Sequence, residues 1–166
     1  MYKRQLPKVY GGFNTSLSWK GFDLSAIFAY SIGGYIYNRD VTMILHNGSL
    51  EGRDWSTEIL RRWTPDNRYT DVPALSTTSN NWNSASTRFL QNNSYMRLKN
   101  LTLSYNLPKQ WISKLSLSSV QVYVQGDNLF TIHRNQGLDP EQGITGITYY
   151  RYPAMRTISG GINVSF

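Results

Sequence analysis

Few side chains in this sequence have the type and spacing that a catalytic site requires. Asp139 and Glu141, in the stretch GLDPEQG, are the closest pair of carboxylates in a predicted loop. A glycosidase needs two carboxylates that face each other across about 5–9 Å around a sugar. Residues two positions apart around a proline more often form a turn, in which the aspartate accepts backbone hydrogen bonds. We therefore expect a turn here, and we do not expect an enzyme.

Metal and cofactor sites are not predicted either. His46 and His133 lack histidine or carboxylate neighbours at ligand spacing, and the chain has no cysteine for a disulfide or a thiolate-bound metal. Glycine pairs at 11–12, 33–34 and 160–161 lie in or beside predicted strands, outside the strand–GxGxxG–helix context of a nucleotide-binding loop. They are expected to permit bending or close approach of strands.

The long polar stretch 38–92 contains the residues best suited to contact a ligand. Its aromatic side chains, with neighbouring Asn and Asp, are of the types that stack on sugar rings or hold peptides. Most loop aromatics, however, pack the loop against itself. The candidate substrate-contacting residues are Trp55, Trp63, Tyr69 and Trp82.

Alternating apolar and polar side chains predict the elements that would position these residues. In SYMRLKNLTLSYNLP, Leu101 and Leu103 project to the opposite side from Thr102 and Ser104. Lys20-Gly21 leaves room only for a tight hairpin turn. The predicted strands cover residues 9–20, 22–37, 94–108, 119–132 and 153–166. Short helices are predicted at 41–46, at 54–62 with Asp54 or Ser56 as the cap, and as a single turn in KQWISKL.

Composition is typical of strands with one apolar and one neutral polar face. Charged residues make up 16% of the chain and aromatic residues 14%, against about 25% charged in an average domain. Mean hydropathy is −0.44, which excludes a bundle of membrane helices. The net charge of +7 is scattered along the sequence, so no nucleic-acid partner is expected. MYKRQLPKVYGG has no apolar segment after its basic start, so no signal peptide is predicted, and an exported chain would be a piece of a longer one.

The lengths of the predicted connections alternate between the two ends of the sheet. The stretch 38–92 and the loop 133–152 fall at one end, whereas the turn 20–21 and the connection 108–118 fall at the other. Long connections at one rim and short ones at the other are typical of bacterial outer-membrane barrels. Five strands cannot close a barrel in lipid, where the smallest have about 8. The chain is therefore part of a larger barrel, or several copies contribute strands to one.

Aromatic residues fall near both rims, as expected for side chains that seek the two membrane interfaces. The alternative is a soluble antiparallel sheet whose aromatics pack a core, such as a small carbohydrate-binding module. This alternative explains the alternation of side chains, but it does not explain why long connections share one rim or why aromatic residues fall near both rims. The predicted lower girdle consists of Trp19, Phe22, Tyr105, Trp111 and Phe166, and the upper one of Tyr35, Tyr37, Tyr95, Phe130 and Tyr152.

A series of stretches in a fixed order makes the sequence recognisable over about residues 7–166. It resembles the C-terminal end of SusC/RagA-type TonB-linked outer-membrane transporters. The series is far more specific than any single motif in it. The stretches are PKVYGGFNTSLSWKGFDLSAIFAYSIGGYIYN, RRWTPDN, TDVPAL, SYMRLKNLTLSYNLPK, VYVQGDNLFTI, GLDPE and YPAMRTISGGINVSF.

The resemblance implies an all-β fold, in which about five antiparallel strands form the C-terminal part of a large transmembrane β-barrel with long extracellular loops containing short helices. Such transporters resemble a barrel of about 22 strands plugged from within, which imports glycans or peptides. It further implies an outer-membrane location, a SusD-type surface lipoprotein as lid, and the TonB complex as energy source. The plug, the TonB-contacting segment and the N-terminal strands are absent from residues 1–166.

The last strand resembles the assembly signal of outer-membrane barrels. In that signal a polar residue, a glycine, a hydrophobic residue and a terminal aromatic occur at fixed spacing, and the barrel-assembly machinery reads it by pairing with the unpaired edge strand. A second interpretation is that Phe166 fills the lower aromatic girdle, and the two are compatible. The matching residues are Ser159, Gly161, Val164 and Phe166.

Overall fold

The computed structural model describes residues 5–46, 50, 52–76, 84–115, 117–135, 137–141, 143 and 145–166. Its main feature is a single antiparallel sheet of five strands, which confirms the predicted fold class. Neighbouring strands follow in the order β1-β2-β5-β6-β8. These strands are β1 (Val9–Trp19), β2 (Phe22–Ile32), β5 (Tyr95–Asn106), β6 (Ser119–His133) and β8 (Thr157–Ser165).

A second, smaller sheet gathers the long connections at one end of the main sheet. Strand β3 (Tyr35–Asn38) pairs antiparallel with β4 (Leu90–Asn92) and parallel with β7 (Ile147–Thr148). Strand β3 directly precedes the stretch 38–92, β4 ends it, and β7 belongs to the loop after β6, so both long connections meet at this end. We call it the long-loop end, and the opposite end, with the turn Lys20-Gly21, the short-turn end.

Two predicted boundaries were wrong for reasons visible in the backbone. The second strand was expected to run to residue 37, but it ends at Ile32 because Gly33 and Gly34 both adopt positive φ, at +84° and +77°. The last strand was expected to begin at residue 153. It begins at Thr157, because Pro153 has no N–H and the N–H of Ala154 bonds to a side chain instead of the sheet.

Helical structure is confined to short segments. Helix α1 (Arg39–Ile44) is capped by the Asn38 side chain, which accepts a hydrogen bond from the Val41 N–H. The helix predicted at 54–62 is instead a 3₁₀ helix, Thr57–Arg61, capped by Ser56. Helix α2 (Lys109–Ile112) and a 3₁₀ turn at 113–115 form the predicted turn at the short-turn end, and a further 3₁₀ turn spans Thr87–Phe89. Among the described helices, none has the length and apolar character needed to cross a membrane.

The buried apolar residues lie mostly under the long loops and not between layers of the main sheet. Ile36 and Phe89 are almost completely buried in the long-loop end, and Ile59 packs with Val72 within the stretch 38–92. Tyr37 packs edge-to-face on Phe89. The prediction that Tyr37 belongs to an upper aromatic girdle is therefore wrong, since its ring belongs to this local core.

Candidate functional site

The main sheet presents one apolar face along its whole width. Leu17, Leu24, Leu103 and Val124 are direct cross-strand neighbours in β1, β2, β5 and β6, and all four side chains are exposed. Aromatic rings border this face at the short-turn end, where Trp19 lies opposite Phe22, and Phe22 contacts Tyr105. An exposed apolar surface of this extent is unusual for a protein in water and normally marks an interface.

The opposite face carries a ladder of polar side chains near the short-turn end. Asp23 accepts hydrogen bonds from the Ser18 hydroxyl at 2.5 Å and from the Asn106 amide at 2.7 Å. Farther across the sheet, the Gln121 amide donates to Ser104, and Asn163 donates to Gln121. Each polar group thus finds a partner on a neighbouring strand. Tyr95, expected in the upper aromatic girdle, also lies on this face, in register with Ser31.

A buried ion pair lies on the same polar face near the long-loop end. The Arg97 guanidinium donates from Nη2 to Asp139 Oδ1 at 2.5 Å, from Nη1 to Glu141 Oε2 at 2.8 Å, and from Nε to the Thr131 hydroxyl at 2.9 Å. The Lys99 ammonium donates to both carboxylate oxygens of Glu141 at 2.5 Å. The Arg97 and Asp139 side chains are 4% and 7% exposed. This cluster joins the loop after β6 to strand β5.

Asp139 is held as a carboxylate by its hydrogen bonds. Burial raises the pKa of Asp139, but the backbone N–H groups of Ala154 and Glu141 and the Arg97 guanidinium more than offset this, so its pKa lies below the usual value. The predicted turn, with aspartate accepting backbone hydrogen bonds, is thereby confirmed. Both carboxylates serve an ion pair, which leaves neither available as the free partner of an acid–base pair.

The predicted ligand-contacting aromatics do not form one cluster. Trp55 packs edge-to-face on the buried His46, with ring centroids 5.2 Å apart. The backbone N–H of Trp63 donates to the carbonyl of Val72 and closes the loop 63–72, in which Tyr69 is fully exposed. Among the described residues, no ring contact joins these three side chains to one another. Trp82 lies outside the described residues.

Side-chain hydrogen bonds hold the backbone of the loop 63–72 near Tyr69. The Asn67 amide donates to the carbonyls of Arg61 and Arg62, and the Thr70 hydroxyl donates to Arg61. These bonds fix the backbone next to Tyr69, so stacking of its exposed ring on a ligand would order the side chain alone. Among the described candidates Tyr69 is the most exposed, whereas the Trp55 ring packs on His46.

Three residues of the predicted assembly signal, Ser159, Gly161 and Val164, lie on β8, the strand at one edge of the sheet, and Phe166 directly follows it. Val164 lies in register with Val120 on the apolar face, and Phe166 is 91% exposed at the short-turn end. Ser159 and Gly161 lie on the polar face. Local packing also explains why position 161 is a glycine. The Tyr123 ring of the neighbouring strand covers it, and a Cβ there would lie 2.7 Å from the Tyr123 hydroxyl.

A second glycine–tyrosine pair occurs at the other edge of the sheet. Gly11 in β1 lies opposite Tyr30 in β2, and a Cβ on Gly11 would lie 3.0 Å from the Tyr30 hydroxyl. A tyrosine folded over a glycine covers otherwise bare backbone and fixes the register of the two strands. The predicted close approach of strands is observed at Gly12, where a Cβ would lie 2.8 Å from the carbonyl oxygen of Phe28, whereas the tyrosine contacts of Gly11 and Gly161 were not predicted.

Sequence reasoning missed the Arg97 cluster. Arg97 and Asp139 are 42 residues apart, and no local pattern links them; only the isolated Arg on the polar side of a strand could have drawn attention. Within the described residues, no group of three or more His, Asp or Glu side chains is arranged to hold a metal ion.

Comparisons with known proteins agree with this geometry. The chain is 34% identical over 166 residues to TonB-dependent receptor P3 of Formosa agariphila, covering 93% of this chain, and 28% identical over 167 residues to the TonB-dependent receptor SusC of Bacteroides thetaiotaomicron, covering 100%. Solved structures of the RagAB peptide importer superpose with TM-scores of 0.86 in the open-open state and 0.83 in the closed-closed state, each at 35% identity. No family model matches the chain.

These matches cover nearly all of this chain but only a small part of the relatives. It spans 16% of receptor P3 and of SusC, and 17% of the RagAB chain. The structural match extends over 98% of this chain in the open-open state, so the agreement concerns the strands and the long loops together. The chain belongs to the SusC/RagA-type TonB-dependent receptors, as a segment of their transmembrane β-barrel.

Proposed function

We propose that residues 1–166 form the C-terminal segment of the barrel of an outer-membrane, TonB-dependent importer of oligosaccharides or peptides. In this role the chain supplies the last barrel strands and the assembly signal, and it carries no enzymatic activity. The observation that carries the proposal is the sheet with one exposed apolar face and one hydrogen-bonded polar face. Two similar proteins support it further, since the RagAB structure is that of a peptide importer and SusC is a TonB-dependent receptor.

In the proposed orientation the apolar face contacts outer-membrane lipid and the polar face lines the lumen. Lipid-facing and lumen-facing residues alternate along a transmembrane strand, as Leu103 and Thr102 do in β5. The long-loop end lies outside the cell, and the short-turn end lies in the periplasm. The outer edges of β1 and β8 pair with further strands of the same receptor, because open edges are not tolerated in lipid.

The proposed partners follow from this architecture. A SusD-type surface lipoprotein covers the long-loop end, where the exposed Tyr69 and Trp63 lie. The TonB complex acts through parts of the receptor outside this chain, and the barrel-assembly machinery recognises β8 through Ser159, Gly161, Val164 and Phe166. The transported glycan or peptide passes along the polar face, with Trp55, Trp63, Tyr69 and Trp82 as candidate contacts.

A small soluble carbohydrate-binding module is the competing function. It would need a second layer over the apolar face, because burial of apolar side chains is the main force that stabilises a soluble sheet. The main sheet has no such layer among the described residues, where Leu17, Leu24 and Leu103 remain exposed. The importer is therefore the better supported function.

The proposal is tested in a full-length receptor that contains this chain. Cells carrying the receptor are grown on oligosaccharides or on peptides as the limiting nutrient, and a deletion strain serves as control. We expect growth on one of the two nutrient classes to depend on the receptor, and the receptor to fractionate with the outer membrane. A receptor found in the soluble fraction would favour the binding module instead.

A further inference from the structure

The three nitrogen atoms of Arg97 all bind groups that face the polar side of the sheet, and two of the three partners belong to the loop 137–154. We infer that Arg97 is a positioning residue that fixes this loop against the lumenal wall, so that the loop is a stationary part of the substrate path and not a movable lid. This inference rests on the proposed function, because the polar face lines a substrate path only in an importer.

The burial of the cluster explains why the loop would stay in place. A guanidinium that is 4% exposed is stable there only while its carboxylate partners remain, because an unpaired buried charge is strongly unfavourable. Lifting the loop would remove Asp139 and Glu141 together and leave Arg97 with only the Thr131 hydroxyl. The planar guanidinium donates to two different carboxylates and a hydroxyl at the same time, and the single ammonium of a lysine cannot reproduce this arrangement.

The same carboxylate fastens both ends of the loop. While Oδ1 of Asp139 accepts from Arg97, its Oδ2 accepts from the N–H of Ala154 at 2.7 Å. Residues 139 and 154 are thus closed into one ring, and that ring is attached to the wall through Arg97. A movable lid needs a free segment between two hinges. Here the hinges would lie at residues 139 and 154, and these two residues are hydrogen-bonded to each other.

The middle of the loop is attached to the second sheet. Strand β7 pairs with β3, the Tyr37 N–H donates to Gly146 at 2.8 Å, and the Tyr150 N–H donates to Asp40 at 2.9 Å. The loop therefore has fixed points at its two ends and between them. A cavity of about 360 Å³ remains between loop and wall, lined in part by His133, Pro140 and Arg151.

Hydrogen–deuterium exchange of the full-length receptor in detergent measures whether Arg97 holds the loop. We expect Arg97→Gln to accelerate exchange in peptides covering 137–154 by at least about tenfold, because the backbone N–H groups bonded to Asp139 become exposed. Arg97→Lys should give an intermediate rate, because it restores the charge without the fork. The matched control is Arg156→Gln, which removes an exposed arginine at the end of the same connection and should leave exchange unchanged.

Because a substitution in a spanning strand can impair insertion, the loop side of the cluster is tested separately. The double variant Asp139→Asn with Glu141→Gln leaves β5 untouched, and heat-modifiable migration in gels verifies that its barrel is folded. Exchange in 137–154 should accelerate here as well. Unchanged exchange in this variant and in Arg97→Gln would overturn the inference.

Uptake of long and short oligomers of the cognate nutrient tests whether the fixed loop limits the path. We expect the ratio of long to short oligomer uptake to change at least about threefold when the loop is released, because the position of the loop sets the free width of the substrate path. An unchanged ratio with a demonstrably released loop would also overturn the inference. Failure of the proposed function has a different signature, since the unmodified receptor would then import neither oligomer.

Discussion

At the scale of single residues, adjacent side chains in β5 have opposite environments. Leu103 lies among Leu24 and Val124 on the apolar face, while the Thr102 hydroxyl bonds to Asn100 on the polar face. A basic side chain on the lipid side costs about 2–4 kcal/mol at the bilayer midplane and less toward the interfaces, and Leu103 is one lipid-facing position from Tyr105 of the lower girdle. We therefore expect Leu103→Arg to reduce the amount of folded receptor in the outer membrane more than Thr102→Arg, measured by heat-modifiable migration. Equal yields from the two variants would contradict the assignment of the faces.

Gly161 offers a second residue-scale test, because its role as an assembly signal can be separated from its role under Tyr123. Gly161→Ala forces the Tyr123 ring away from a Cβ that would lie 2.7 Å from its hydroxyl, and overpacking of this kind costs about 1–3 kcal/mol. We expect a lower unfolding temperature for this variant, and partial recovery when Tyr123→Ala is added. Gly160→Ala is the matched control, since its nearest contact is longer, at 3.3 Å. Loss of assembly in the double variant equal to that of Gly161→Ala would favour a pure signal role.

At the scale of elements, the loop 137–154 should respond to acid. The pKa of Asp139 is lowered in the folded protein. Its stabilising contribution to the folded state is therefore fully present above the pKa of an unfolded aspartate, about 3.9. It is lost as the pH falls through the lower folded value. The receptor is exposed briefly to a given pH, crosslinked, and returned to neutral pH for protease treatment. We expect cleavage of the loop to be constant after exposure to pH 5–8 and to increase only after exposure to a pH below about 4. Loosening already at pH 6 would contradict the assignment of the transition to Asp139.

The elements also show how far the sequence determines the fold. The alternation of apolar and polar side chains predicted the ends of β1, β5 and β6 to within about two residues. It could do so because this alternation depends only on residues that are close in sequence. It missed the break at Gly33-Gly34, where both glycines adopt positive φ, and the start of β8, where the N–H of Ala154 bonds to the Asp139 side chain instead of the sheet. The Arg97 cluster and the Tyr123–Gly161 pair could not be predicted, since each depends on which residues the strand register brings together.

At the scale of the whole molecule, the last strand must join this segment to the rest of the barrel. Phe166 is 91% exposed beside the apolar face, and burying such a ring contributes about 1.5–3 kcal/mol. We expect Phe166→Asp to prevent outer-membrane insertion of the full-length receptor and to abolish growth on the cognate nutrient. Tyr69→Ala, at the opposite end, should insert normally and at most weaken substrate capture. Surface labelling of intact cells checks insertion, and normal insertion of Phe166→Asp would leave Phe166 as only another girdle aromatic.

The most direct measurement of the central claim, a two-faced sheet in a membrane, is a spin-label scan along β5 in the full-length receptor. This segment has no cysteine, so single cysteines at positions 101 to 106, in a receptor cleared of any others, can each carry one label in lipid bilayers. We expect labels at Leu101, Leu103 and Tyr105 to be relaxed by oxygen dissolved in the lipid, and those at Thr102, Ser104 and Asn106 by a water-soluble nickel complex. Equal response of all six positions to the nickel complex would contradict a transmembrane sheet.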